Sequence, residues 1–361
     1  MSLRRSAPIP ELLGAAAGGD RAALARLLST VERGGPAALE VARLAYRHPV
    51  PYTVGLTGAP GAGKSTLTDR LIAAARAGWP APEGGEPEAV PQVAVLAVDP
   101  SSPFSGGAIL GDRVRMQGHA LDPSVYIRSM ATRGHLGGLS LAVPDAVRVL
   151  GAAGVPVVLI ETVGVGQMEV EVAAAADTTV VVVTPGWGDS MQAAKAGLLE
   201  VADVFVVNKA DRPGVREARR DLDQMLDLSP PGPWRPPVLQ ACALQGEGIE
   251  ELWAAVGRHR AFLESSGQLQ ARRRERLAQE LRRVLAARLS ARVAALTQGP
   301  AFAAALSRLT AGQASPYDVA EVILEALPGS PGPSPVGPPG ALAGHGGDGE
   351  GPGGPSGAGR P

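Results

Sequence analysis

The chain has 361 residues, enough for one large or two modest domains with a real core, and its net charge of −1 offers no basic field for nucleic acid. Its single cysteine, Cys242, excludes an internal disulfide framework or a cysteine-rich zinc site and suits a reducing compartment. The opening MSLRRSAPIPELL lacks the apolar core of a signal peptide, and no apolar run approaches the ~20 residues that span a bilayer, so a soluble cytoplasmic protein with no membrane partner is expected.

Residues 1–50 read as a helical extension. Leu12, Leu13, Leu24, Leu27, Leu28 and Val31 recur at near-helical spacing, Gly34-Gly35-Pro36 breaks the pattern, and a second helix carries Ala37, Leu39, Val41, Ala42 and Leu44. No chemical motif lies here, so a brace against the next domain is expected. Over 51–265, short β-branched runs alternate with helical stretches: Val54–Thr57, Val93–Val98, Val155–Glu161, Thr179–Thr184, Val204–Asn208 and Val238–Ala241. Their near-continuous apolar character predicts strands buried on both faces, hence a doubly wound, mostly parallel α/β sheet. Trp79–Pro91, rich in Pro, Gly and Glu, reads as an exposed loop.

Residues 266–327 form a C-terminal helical arm. In the Arg-rich stretch Gln268–Leu296, Leu277, Leu281, Leu285, Leu289 and Val293 follow at intervals of four, which predicts a solvated helix with one buried stripe that a second subunit could also cover. Ser315-Pro316-Tyr317-Asp318 reads as an N-cap with proline at the first helical position. In 328–361, 22 of 34 residues are Gly or Pro, too many for a packed core, so a disordered tail is expected.

The chemistry concentrates at Pro51–Leu67, PYTVGLTGAPGAGKSTL. Gly58, Gly63, Lys64 and Ser65 meet the template Gly-x-x-x-x-Gly-Lys-Ser/Thr between a predicted strand and helix. Glycines let the loop Gly58, Ala59, Pro60, Gly61, Ala62, Gly63 turn its amides around phosphate oxygens, and the helix that begins at Lys64, Ser65 and Thr66 adds positive potential. Lys64 suits the terminal phosphates and the Ser65 hydroxyl suits magnesium. A glycine-rich turn matched by chance is the rival explanation in a chain with 47 glycines. Lysine usage argues against it: among 34 Lys plus Arg only Lys64, Lys195 and Lys209 are lysine, and a compact point charge is kept where a planar fork does not serve.

VFVVNKAD ends a predicted strand with Asn208, Lys209 and Asp211, a pattern that distinguishes guanine, whose ring N–H and exocyclic amine can both donate to the Asp carboxylate. Asn208 is the chain's one asparagine. A strand-end turn with a capping Asp is the bland alternative. In QACALQGEGIEELW, Cys242, Ala243 and Leu244 form a loop before a helix, where GTPases usually present amides of a Ser-Ala or Thr-Ala to the guanine oxygen; a small buried thiol is compatible with that reading. Asp99 follows a strand, in VDPSSPFSGG, where ligands bind in such sheets. Asp112 lies in ILGDRVRM and would by itself read as a helix N-cap. Glu161 begins ETVGVGQ, from which it can reach magnesium through water while the Gly164 amide meets the γ-phosphate. Three acids near one hard, oxygen-seeking ion make chemical sense. Two stretches are harder to assign: IRSMATRGHLGGLS, with Arg128, Arg133 and His135, which could equally be an exposed glycine-rich loop, and TPGWGDSMQAAKAG, with Asp189, Gln192 and Lys195.

Taken together, GAPGAGKST, VLAVDPSSPFSGGAILGDRVRM, YIRSMATRGHLGGLS, ETVGVGQ, PGWGDSMQAAKAGLLEVADVFVVNKAD and GIEELW closely resemble the methylmalonyl-CoA mutase-associated GTPases of the MeaB/ArgK family, bacterial relatives of the mitochondrial methylmalonic aciduria type A protein. The resemblance is strong over roughly 50–265. It implies a P-loop NTPase fold and a magnesium-dependent GTPase that binds GTP and GDP. It further implies a chaperone that gates adenosylcobalamin loading into a coenzyme-B12-dependent acyl-CoA mutase and excludes damaged cofactor, acting as a homodimer through its C-terminal helices. On the family pattern Asp99, Asp112 and Glu161 surround magnesium, and Gly186 to Lys195 is a switch that answers to the mutase. Arg113, Arg128 and Arg133 are candidate arginines to stabilise phosphoryl transfer, one of which a partner could order. Cys242 departs from the usual Ser or Thr, and the tail has no counterpart. No Asp-x-His-x-x-Gly pattern is present, so cobalamin is expected on the partner. The alternatives are a nickel-insertion GTPase, disfavoured by five scattered histidines and one cysteine, a P-loop small-molecule kinase, disfavoured by Asn208–Asp211, and a binding scaffold with dead catalysis.

Overall fold

The computed structural model describes residues 7–80, 88–100, 117–119, 121–132, 142–162, 175–186 and 200–325. Seven strands form one sheet: β1 (Tyr52–Gly58), β2 (Val93–Pro100), β3 (Val125–Thr132), β4 (Val157–Thr162), β5 (Thr178–Val183), β6 (Val204–Asn208) and β7 (Val238–Ala241), in the order β3-β2-β4-β1-β5-β6-β7. Every pairing is parallel. Val, Ile and Leu occupy both faces of the inner strands, and β1, β4, β5 and β6 are buried at every position.

Helices cover both faces, as the doubly wound reading requires. On one face, α4 (Lys64–Arg76) and α7 (Ile249–Ser265) bury Leu67, Leu71, Ile72, Leu252, Trp253 and Val256 against Val54, Leu56, Val95, Leu159, Val180 and Val206. On the other, α1 (Ile9–Ala17), α2 (Arg21–Arg33), α3 (Pro36–Ala45) and α5 (Ala142–Ala152) cover Leu96, Val98, Val158 and Ile160, while α6 (Val215–Leu228) covers Val181, Val183, Phe205 and Val207. The N-terminal segment contains three helices rather than two, because Gly18-Gly19-Asp20 breaks the first and Asp20 caps α2 through the amides of Ala22 and Ala23.

Two local expectations are corrected. The run from Val125 to Thr132, absent from the predicted strands, is a strand. As the sheet's edge it pairs only with β2, so Tyr126, Arg128 and Ser129 interrupt the apolar run that marks inner strands. Trp79 and Val90, the flanks of the expected exposed loop, are buried. Trp79 stacks on Trp253 at 4.4 Å, meets the Tyr52 ring edge-on and pairs with Glu88 across an isolated bridge.

Contacts divide the chain into Met1–Ala286 and Ala287–Pro361, so α8 (Gln268–Leu296) begins in one unit and ends in the other. In the first unit, Arg273 and Arg276 of α8 hold the buried Asp177 just ahead of β5, and Arg272 holds Asp203 just ahead of β6. Within the second, α9 (Pro300–Thr310) packs on α10 (Pro316–Glu325), and the Asp318 carboxylate accepts from the Ser315 amide and hydroxyl at the start of α10. The expected buried stripe of α8 is exposed in the single chain: Leu277, Leu281, Leu285, Leu289 and Val293 are between 41% and 63% accessible.

Candidate nucleotide-binding site

The chain is wound so that β1 lies between β4 and β5, where the winding reverses direction. The C-terminal edge at such a point is where open α/β sheets bind ligands. β1 ends on Gly58, whose φ is +137° and where a Cβ would stand 2.1 Å from the Val182 carbonyl oxygen, so only glycine lets the chain leave here. The loop turns through an Ala62 N–H bond to the Ala59 carbonyl (3.1 Å) and ends at Gly63 (φ +92°), where a Cβ would meet Asn208 Nδ2 at 2.3 Å. α4 starts at the next residue. The two glycines thus stand where one close approach is to the β5 backbone and the other to the Asn208 side chain.

Lys64 and Ser65 open α4 and are buried. The Lys64 ammonium donates to the carbonyls of Gly58 and Ala59, which draws the loop into a crown around it. The Ser65 hydroxyl donates to Glu161 Oε1. Glu161, buried at the end of β4, pairs in register with Leu56 of β1 and Ala97 of β2. Position 99 lies two residues past Ala97 near the end of β2. A hydroxyl beside a carboxylate at the head of a helix is the oxygen donor set a small hard cation takes, and the N–H groups and dipole of that helix favour an anion.

The other half of the site hangs from β6. Asn208 Nδ2 donates to the Ala62 carbonyl (2.8 Å) and its Oδ1 accepts from the Ala243 amide (3.2 Å), so this buried side chain clips the glycine loop to the 242–244 loop. Lys209, with φ +60°, is the one non-glycine left-handed residue among those described, and its ammonium donates to the Gly61 carbonyl (2.6 Å). Asp211 is exposed and accepts from the Cys242 thiol (3.2 Å).

The structure therefore gathers Gly58–Thr66, Glu161, Asn208, Lys209, Asp211, Cys242, Ala243 and Leu244, with the end of β2 beside them. It does not bring Arg128 there. That side chain sits mid-strand on β3 and pairs with Glu32 (2.6 Å) and Ser29 (3.1 Å) of α2. Its register partner Leu96 belongs to the core under the N-terminal helices, so alternation turns Arg128 to them and away from α4. Asp112, Arg113, Arg133, Gly164, Asp189, Gln192 and Lys195 lie outside the described residues. One contributor escaped the sequence reading: Arg70 of α4 donates to the carbonyls of Ala243 (3.1 Å) and Leu244 (3.0 Å). Among so many arginines nothing in the sequence singled it out.

A parallel sheet whose first strand runs through such a loop into a Lys-Ser helix, with a buried carboxylate on the serine, is a P-loop nucleoside triphosphatase. Comparison with known proteins gives the family. Residues 24–298 match the family model described as methylmalonyl Co-A mutase-associated GTPase MeaB, and the chain belongs to that family. It is 45% identical to a putative GTPase of Pyrococcus abyssi over 328 residues, 89% of this chain and 97% of the relative. It is 38% identical over 230 residues to the mitochondrial methylmalonic aciduria type A homolog of Mus musculus, 62% of this chain and 53% of the relative. A crystal structure of LAO/AO transport system kinase superposes with a TM-score of 0.64 at 28% identity, covering 90% of this chain and 99% of that one. The protein is a GTPase, and no helix among the described residues is long and apolar enough to cross a membrane.

Proposed function

We propose that the chain is a magnesium-dependent GTPase that gates adenosylcobalamin loading into a coenzyme-B12-dependent acyl-CoA mutase, methylmalonyl-CoA mutase first, and guards it against damaged cofactor. The observation that carries the enzymatic part is the Ser65–Glu161 contact beside buried Lys64 at the head of α4. The amides of 58–66 would cradle GTP phosphates, and Lys64 would offset their charge. Ser65, Glu161, Asp99 and Asp112 would hold magnesium, which supplies charge stabilisation for the transferring phosphoryl group. Gly164 would meet the γ-phosphate. Asp211 would accept from the guanine N–H groups, with Lys209 beneath the base and the 242–244 loop at its oxygen. Asn208 supports both loops from behind.

The partner reading is supported by the family's description, which names methylmalonyl Co-A mutase, and by the relative named for methylmalonic aciduria. Arg113, Arg133, Asp189, Gln192 and Lys195 would form the segments that respond to it, and a second copy of the chain would cover the exposed stripe of α8. The mutase supplies the cobalamin site. The test is transfer of adenosylcobalamin into apo-mutase, followed by the cofactor's absorbance, with this protein and GTP, GDP or a non-hydrolysable GTP analogue. Loading that depends on which nucleotide is present supports the gate; identical loading with all three, or without the protein, overturns it.

A further inference from the structure

We infer that Arg70 is a positioning residue that aims the one uncommitted amide of the 242–244 loop at the base, a role resting on the guanine reading above. Arg70 lies six residues past Lys64 on α4, and its guanidinium spans two consecutive carbonyls, Nε on Ala243 O at 3.1 Å and Nη2 on Leu244 O at 3.0 Å. The peptide unit joining Ala243 to Leu244 is planar and trans, so its C=O and N–H point in opposite directions. With that carbonyl drawn onto Arg70, the Leu244 N–H is turned away from α4. The other amides of the turn are committed: Ala243 N donates to Asn208 Oδ1, and Gln245, Gly246 and Glu247 all donate to the Cys242 carbonyl. The Leu244 N–H has no acceptor among the described residues, and Leu244 is 75% exposed, so the group is accessible.

Guanine presents a carbonyl acceptor at C6, where adenine presents an amino donor. A single amide held in one direction therefore separates the two bases, and its direction is set from the helix that carries the phosphate-binding lysine. Bonds from a charged donor to two backbone acceptors are the strong kind, and among the described residues Arg70 is the side chain that holds the Ala243 and Leu244 carbonyls.

The test is the dissociation constants of GDP, IDP and ADP for the wild type, Arg70→Ala and Arg70→Lys, with thermal melting of each protein. GDP and IDP share the C6 carbonyl, and IDP lacks the 2-amino group that Asp211 would read. Arg70→Ala is expected to weaken GDP and IDP by the same factor, roughly tenfold, and to leave ADP unchanged. Arg70→Lys, with one donor in place of a fork, regains part of the loss. Equal weakening of all three nucleotides, or no weakening of GDP and IDP, overturns the role. A wild type that binds ADP as tightly as GDP overturns the base reading itself, and is seen before any variant is compared.

Discussion

Asn208 shows how a residue in a recognition motif can act from behind the site. Its amide joins Ala62 O to Ala243 N and is buried, whereas Asp211, three residues on, is exposed. The two substitutions therefore separate. Asn208→Ala leaves a buried carbonyl and a buried amide unpaired and is expected to cost about 1–3 kcal/mol of stability in urea unfolding. Asp211→Ala is expected to leave unfolding unchanged and to reduce the preference for guanine nucleotides sharply in direct binding measurements, leaving only the part read at the C6 carbonyl. Glu161→Gln keeps the shape of the side chain and removes its charge. Measured together, GDP binding should persist while GTP turnover falls by about 10²-fold or more, the scale of losing one charge-stabilising group. The glycines were legible in the sequence because positive φ at Gly58 and Gly63, with the Val182 carbonyl against the first and the Asn208 side chain against the second, favours glycine there. Arg70 was not, because its partners are carbonyls 173 residues or more away, and a carbonyl has no sequence signature.

Among the elements, the inner strands were legible from apolar continuity, and β3 was not, because an edge strand that turns Arg128 toward α2 loses that continuity. The root of α8 was equally hidden: its arginines read as solvated, yet three of them hold carboxylates at the start of β5 and β6. Burial pushes the Asp177 carboxyl upward, but hydrogen bonds and charges from Arg273 and Arg276 outweigh it and hold the group below the usual carboxylate range. Its contribution to stability is present above the unfolded value of ~4 and is lost as pH falls below it. Asp177→Asn removes one side of a buried ion cluster and is expected to lower stability by ~3–5 kcal/mol at pH 7. Asp145 on α5 has the opposite sign. Burial, reinforced by the Glu280 charge and opposed by Arg148, raises it from 3.8 to about 7. The folded state then holds this proton more tightly, and stability is lost as pH rises from about 4 to about 7. Melting temperatures across that window should fall less steeply for Asp145→Asn than for the wild type; parallel curves would show that Asp145 does not titrate this way.

At the scale of the whole molecule, the P-loop sheet and its family were readable from motifs strung along one strand edge. The stripe on α8 keeps its four-residue period, and its residues are exposed among the described residues. Exposed leucines in one stripe are the kind of surface a second copy of the chain, as proposed above, would cover. Charged substitutions at Leu281 and Leu289 should convert a dimer to monomer in sedimentation, and a wild type that sediments as monomer at micromolar concentration would remove the second copy from the proposal. The most direct measurement of the proposed function is the steady-state rate of phosphate release from GTP with and without a purified coenzyme-B12-dependent acyl-CoA mutase. The expected result is slow hydrolysis by this protein alone and a rate that rises when the mutase is added; a rate that the mutase leaves unchanged contradicts it.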